Sequence, residues 1–180
     1  MARISQWASR SLNAIAAIAF VAAAIAIGSN SAARADMPTQ LATPHVAVNH
    51  AGVAAAGHDV VAFFLVGEAL KGNRDITATH DGATYWFASE ENRAVFLTDP
   101  AALAPQYGGF GAYGVRVGRK IKPGAPLTWR VHDEKLFVFI DDDTKQMWMA
   151  DEENSLRIAN TIWAKIRAVP TALLETPATN

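Results

Sequence analysis

The longest uninterrupted hydrophobic run in the sequence lies near its start. The run from Ala14 to Ile27 holds 14 consecutive apolar residues, fewer than the roughly 18 expected of a membrane-spanning helix. Arg3 and Arg10 precede it, and Ala33-Arg34-Ala35 supplies a small-x-small cleavage site. We therefore predict that residues 1–35 are a Sec-type signal peptide cleaved near Ala35. The mature protein is then periplasmic or secreted and keeps no stable membrane span; an uncleaved anchor is the alternative.

The remainder of the chain divides into a linker, one domain and a tail. Residues 36–49 contain two prolines and have no sustained hydrophobic period, which is typical of a linker or arm. Short segments with a clear period follow, so the domain is predicted over residues 50–167. Residues 168–180 again contain two prolines and are predicted to be a disordered tail.

Two pairs of β-rich segments predict two hairpins. Ile76–His80 and Ala83–Phe87 are separated by Asp81-Gly82, and glycine accepts the positive φ that a tight primed turn requires. The second pair, Leu127–Val131 and Leu136–Ile140, is predicted to turn at His132-Asp133-Glu134.

Capping residues mark the helices. Ser89 predicts a helix start because its hydroxyl accepts from the first free amides, and Asp99-Pro100 ends that helix and opens a second short one. A final helix is predicted over residues 143–166, with the acidic run Asp141–Asp143 as its cap rather than a calcium loop. The apolar run Val60–Val66 predicts a buried strand, although a short helix fits the same pattern. The predicted fold is α+β, with two β-hairpins, a short central helix and a C-terminal helix packed on the sheet.

Charge and composition exclude several kinds of function. Cleavage after residue 35 removes three basic side chains and leaves 13 basic against 17 acidic ones, a formal charge of −4. This balance argues against nucleic acid as a partner, and the densest basic stretch, Arg116–Lys122, is predicted to be a solvated loop. The chain has no cysteine, so disulfides, thiolate metal sites and a cysteine nucleophile are impossible. No serine has a nucleophile-elbow context, and no enzymatic activity is predicted.

Four segments carry a family resemblance, in order along the chain. They are Gly57–Phe64, Gly82–Arg93, Phe96–Pro100 and Ala104–Gly114, within residues 46–166. Together they resemble the exported YHS-domain proteins of proteobacteria. The resemblance implies the fold and a possible class of ligand, because related YHS modules occur in metal-handling proteins, including copper-transporting pumps, and some resemble the metal-sensing TRASH domains.

The chain departs from that family at its cysteine positions. Cysteine-bearing relatives place thiols at positions that are Ala88 and Asn92 here, and exported relatives commonly have cysteine in place of Gly111. A soft thiolate site for copper or zinc is therefore excluded as the family would build it. His58 and Asp59 are the remaining candidates to bind a copper or zinc ion, because a carboxylate can orient an imidazole. The alternative is that Asp59 caps the following backbone and His58 is a partly buried polar residue.

Aromatic residues supply a second set of candidate contacts. Tyr85, Tyr107 and Tyr113 are predicted either to line the edge of a small-ligand pocket or to belong to the core. The stretch Gly109–Gly114 spells G-x-G-x-x-G, but it does not follow a strand and open a helix, so no nucleotide site is predicted. An acid–base role for the pair His58-Asp59 would require a cleft around it.

The sequence thus predicts a module that binds a small ligand, a transition metal or a protein partner. Its preferred interpretation is a transition-metal or small-ligand binding module with a degraded metal site. The alternative is a metal-free structural or protein-interaction module.

Overall fold

Residues 45–124 and 127–175 are described by the computed structural model of the protein. The predicted signal peptide and the first part of the predicted linker lie outside these residues. Within the described ranges, no helix is both long enough and apolar enough to cross a membrane.

The first hairpin forms as the sequence predicts. Strand β1 (Asn73–His80) pairs antiparallel with strand β2 (Ala83–Phe87), with a register irregularity in the first half of β1. Asp81 and Gly82 join them with φ values of 54° and 75°. Two successive positive φ values define a type I′ turn, whose twist matches that of the flanking strands.

The second hairpin also forms, with slightly different bounds. Strand β3 (Thr128–His132) pairs antiparallel with strand β4 (Lys135–Phe139) in a continuous register. The turn is only two residues long, Asp133 and Glu134, with φ values of 47° and 58°. Each hairpin is a separate two-stranded sheet, and helices pack against both, so the fold is α+β.

Six α-helices occur in the described part of the chain. Most are short, and three single 3₁₀ turns accompany them, at Ala55–Gly57, Gln106–Gly109 and Thr171–Leu173. The α-helices are α1 (Ala62–Leu65), α2 (Glu90–Thr98), α3 (Pro100–Leu103), α4 (Ala112–Arg116), α5 (Asp142–Met149) and α6 (Glu152–Ile166).

The predicted helix caps are confirmed. Ser89 Oγ accepts from Asn92 N at 3.2 Å, and Asp99 Oδ1 accepts from Ala102 N at 3.1 Å. Asp141 forms a capping box with Thr144 at the start of α5, and these hydrogen bonds lower the pKa of its carboxyl group. The acidic run therefore serves as a cap, as expected.

The segment predicted as a buried strand is helical instead. Residues 60 and 61 form a turn, and α1 follows directly. The amides of Val61 and Ala62 bond to the Asp59 carboxylate rather than to a neighbouring strand. Val60, Val61 and Phe63 are nevertheless buried. The apolar run correctly predicted that this segment is buried, but the prediction of a strand was wrong. The hydrogen bonds that favour the helix come from Asp59, which precedes the run.

The predicted C-terminal helix is divided into two. The chain leaves the helical conformation at Asp151, with φ −152° and ψ 72°. This break lets the buried Trp148 of α5 and Ala159 of α6 reach the same core. The apolar face of α6 packs as predicted, with Leu156, Trp163 and Ile166 against that core.

The packed structure is wider than the predicted domain. Val46, Ala47 and Val48 are buried, and Ala47 N donates to Gly108 O at 2.8 Å, so packing begins before residue 50. At the other end, Lys120 N donates to Leu174 O at 3.3 Å. The predicted linker and tail therefore each contribute residues to the fold.

Candidate functional site

The buried carboxylate of Asp59 lies at the meeting point of three elements. Its side chain is fully enclosed. Oδ1 accepts from Val61 N at 2.9 Å and from Ala62 N at 3.4 Å, at the start of α1. Oδ2 accepts from Ala88 N at 2.8 Å and from Asn92 Nδ2 at 2.7 Å. One carboxylate thus ties α1 to the end of β2 and to α2.

Two of those four donors come from the positions at which the resemblance places thiols. Ala88 contributes its backbone N–H and Asn92 its side-chain amide. Both are hydrogen-bond donors directed at Asp59, whereas a metal ion needs lone pairs directed at itself. The groups around Asp59 therefore fit a buried carboxylate and do not fit a copper or zinc ion.

His58 is buried beside this centre but has different partners. The residue is only 5% exposed, and Nδ1 of its ring lies 3.1 Å from Ala55 O. Burial lowers the pKa of the imidazole; the charge of Lys71 acts in the same direction, and the hydrogen bond to Ala55 opposes it. The neutral ring is therefore favoured in the folded protein.

The described residues contain no cluster of three or more His, Asp or Glu side chains suited to a metal ion. His58 and Asp59 are adjacent in sequence, but one contacts the preceding 3₁₀ turn and the other contacts α1, β2 and α2. His58 and Asp59 therefore lie in the same region, but their side chains do not converge on a common metal position.

A side chain at Gly111, where the proteins that this chain resembles commonly have cysteine, would require Ile140 to move. A Cβ atom at this position would lie 2.9 Å from Ile140 Cγ1, closer than packed carbon atoms approach. Gly111 N donates to Ile121 O at 2.9 Å, which holds the backbone in place. Position 111, the third at which related proteins carry cysteine, is therefore closely packed against Ile140.

The three candidate tyrosines are not gathered around one pocket. Tyr85 is buried against Phe96, with ring centroids 4.9 Å apart. Tyr107 belongs to a second aromatic cluster, which includes Phe137, Trp148 and Trp163. Its hydroxyl donates to Asn160 Oδ1 at 3.0 Å. Burial raises the pKa of both hydroxyls. Tyr113 packs at the edge of the second cluster, so these residues serve mainly as core.

Lys120 is a buried residue that sequence analysis placed in a solvated loop. It is fully enclosed, and its Nζ donates to Arg167 O at 2.7 Å and to Val169 O at 2.6 Å. The ammonium also lies 5.5 Å from the ring centroids of Phe110 and Trp163. Burial lowers its pKa. The local pattern carries no signal for this, because the partners are distant in sequence.

A second polar cluster joins β3 to the start of α6. Glu152 accepts from Arg130 through both oxygens, at 2.9 Å from Nε and 3.1 Å from Nη2. His132 Nδ1 lies 3.3 Å from the same carboxylate. The bidentate geometry fixes the second hairpin against α6. Arg130 and Glu152 are distant in the sequence, so no local pattern predicts this pair.

An open groove of about 450 Å³ lies beside this cluster. None of the predicted site residues lines it. Its walls come from β3 and the first turns of α5: Leu127, Thr128, Trp129, Arg130, Val131, Asp142 and Lys145.

Comparison of the chain with protein-family models, with curated proteins and with solved structures found no match. Functional inference therefore rests on the residues and geometry described above.

Proposed function

We propose that this protein is an exported, YHS-like binding module that acts without a metal ion at His58 and Asp59. It acts by contact with a protein partner or small ligand rather than by turnover. The observation that carries the proposal is the complete engagement of the Asp59 carboxylate by four N–H donors.

The chemistry of the family's cysteine positions supports the same conclusion. Ala88 and Asn92 donate to the buried carboxylate of Asp59, and a Cβ atom at Gly111 would lie 2.9 Å from Ile140 Cγ1. A buried carboxylate needs several donors to offset its desolvation. In this interpretation, Asp59 connects the end of β2 to α2, the two places that hold the cysteine positions 88 and 92, and joins both to α1.

Metal handling through His58 is the competing function, and one experiment distinguishes the two. Cells express the full chain, and the protein is isolated from the periplasm without a histidine tag. Its metal content is measured by elemental analysis, and its thermal stability is followed during titration with copper and with zinc. We expect no stoichiometric metal and no saturable rise in melting temperature.

Two variants make the result specific. His58→Ala removes the candidate ligand, and His50→Ala removes an exposed imidazole that the fold does not use. Stoichiometric copper or zinc that is lost in His58→Ala and retained in His50→Ala would overturn the proposal. Equal, weak binding in both variants would be surface binding and would leave the proposal standing.

A further inference from the structure

Within residues 45–124 and 127–175, the backbone groups on the outer edge of β3 have no hydrogen-bond partner. In a two-residue hairpin the residues flanking the turn form a hydrogen-bonded pair, and the bonded positions then alternate along each strand. His132 and Lys135 flank the turn, so His132, Arg130 and Thr128 bond to β4. The N–H and C=O groups of Trp129 and Val131 therefore point away from β4.

The first hairpin has the same geometry and supports this assignment. There the alternation directs Thr84 and Thr77 away from the partner strand. Thr84 O accepts from Ala54 N and Thr84 N donates to Gly52 O, each at 2.9 Å, while Arg93 Nε donates to Thr77 O at 2.6 Å. At each of these positions the chain itself supplies a partner.

The β3 edge differs because neither of its two successive outward positions has a partner among the described residues, whereas on β1 Thr79 is the one outward position whose N–H and C=O both lack one. None of the observed hydrogen bonds of the described residues reaches the outward groups of Trp129 or Val131. Leu136 and Val138 on the outer side of β4 are fully buried, whereas Trp129 and Val131 are partly exposed and line the open groove. A strand edge that is exposed, regular and free of bulges is a template for another strand.

We propose that the β3 edge pairs antiparallel with the β3 edge of a second copy of this chain, about a two-fold axis at Trp129. Each Trp129 then exchanges two backbone hydrogen bonds with its counterpart in the second copy. Leu127 of one copy lies opposite Val131 of the other, and Thr128 lies opposite Arg130. The proposal rests on the geometry and side chains of β3 and is independent of the metal-free function proposed above.

The side chains favour this occupant and this register. Leu127 is already buried, and Trp129 packs against Phe63 with ring centroids 4.8 Å apart. The pairing therefore adds contact at the partly exposed faces of Trp129 and Val131, as an aromatic pair and an apolar cross-strand pair. A two-fold axis at Arg130 would instead place two arginines directly opposite each other, which is destabilising. Arg130 bonds Glu152 through Nε and Nη2, which leaves Nη1 of the incoming strand's arginine for Asp142, a residue that lines the same groove.

Amide hydrogen exchange of the wild-type protein, followed residue by residue by NMR, tests the pairing directly. The inward amides of Thr128 and Arg130 are protected in the monomer and should be protected at every concentration. The outward amides of Trp129 and Val131 should become protected only as the concentration rises from micromolar to millimolar. Light scattering under the same conditions should show a monomer–dimer equilibrium.

Two substitutions at one position provide the matched control. Val131→Pro removes the outward N–H without removing a bond to β4, and proline is tolerated on edge strands. Val131→Thr keeps the N–H and the side-chain shape. We expect Val131→Thr to dimerise like the wild type and Val131→Pro to stay monomeric, with circular dichroism confirming that both are folded.

Because the chain has no cysteine, a single introduced thiol gives a test that does not depend on Val131→Pro folding. Residues opposite each other in a hydrogen-bonded pair have Cα atoms about 5.5 Å apart, within the range that a disulfide spans. Trp129→Cys should therefore form a disulfide dimer under mild oxidation, and Lys135→Cys, an exposed position on β4, should not. A wild-type protein that stays monomeric at millimolar concentration, or equal cross-linking of both variants, would overturn the proposal.

Discussion

Asp59 accepts hydrogen bonds only from N–H groups, and this decides what it does in the protein. Replacing it with asparagine keeps the size but presents an amide to donors that need an acceptor. Because buried donors are then left unsatisfied, we expect Asp59→Asn to lower the free energy of unfolding by about 2 to 4 kcal/mol, measured by urea denaturation.

Asp75→Asn is the matched control, because Asp75 is an exposed residue on β1 and its side chain should contribute little. The deficit of Asp59→Asn should be the same with and without a chelator. A deficit that disappears in chelator would mean that Asp59 acts through a bound metal.

His58 gives the protein a predictable sensitivity to acid. Burial lowers the pKa of His58 from the ordinary value of 6.5. Below pH 6.5, the unfolded chain therefore binds a proton at His58 more readily than the folded protein does. The contribution of His58 to stability is therefore complete above pH 6.5 and is lost as the pH falls toward the lowered folded pKa.

The substitution His58→Asn isolates this effect, because asparagine can still donate to Ala55 O without titrating. Between about pH 7.5 and about pH 5.5 the wild type should lose more stability than His58→Asn does. Urea denaturation at both pH values measures the difference. His50→Asn, at an exposed position, should follow the wild type; equal losses in all three proteins would contradict the prediction.

At the scale of elements, the segment around Val46 docks on the glycine-rich turn through a close backbone approach. Gly108 has φ +62°, and a Cβ atom there would overlap the carbonyl oxygen of His45; Gly118 has φ +79° with open space around it. Both glycines allow the left-handed conformation, so only the close approach distinguishes them.

Alanine at these two positions should separate conformational strain from docking. Gly118→Ala should cost about 1 to 2 kcal/mol through its positive φ. Gly108→Ala should cost several times more and should also expose the Ala47 amide, which bonds to Gly108 O, to hydrogen exchange. Similar losses in both variants, with Ala47 still protected, would show that docking does not depend on this contact.

Elements whose signals are local were predictable, and those set by distant partners were not. The Asp81-Gly82 turn and the caps at Ser89 and Asp141 act within a few residues, so the sequence pattern carries them. The strand predicted at Val60–Val66 is helical because the Asp59 cap competes with strand pairing. The helix break at Asp151 follows from the packing of α5 and α6 on one core. No residue near it is a helix breaker, so the sequence does not predict the break.

At the scale of the whole molecule, Lys120 closes the fold by holding the end of α6 and the residues that follow. Lys120→Met keeps an apolar stem beside Phe110 and Trp163 but loses both donors to Arg167 O and Val169 O. Because those carbonyls lose their partner, we expect the amides of Val169, Leu173 and Leu174 to exchange faster.

Hydrogen exchange read by mass spectrometry measures this release, with Lys122→Met at an exposed position as control. Stability should fall by about 1 to 3 kcal/mol where the carbonyls stay buried. Unchanged exchange after residue 167 in Lys120→Met would mean that packing alone holds the C-terminal segment.

The sequence by itself determined the two hairpins, the capped helix starts, the burial of the apolar runs and the absence of any thiol site. These properties depend on residues close together in the chain or on composition. Three properties follow from packing: four donors engage Asp59, Lys120 is buried, and the outer edge of β3 has no partner among the described residues. Each depends on groups that are brought together from distant parts of the sequence, or left unpaired, only when the chain packs.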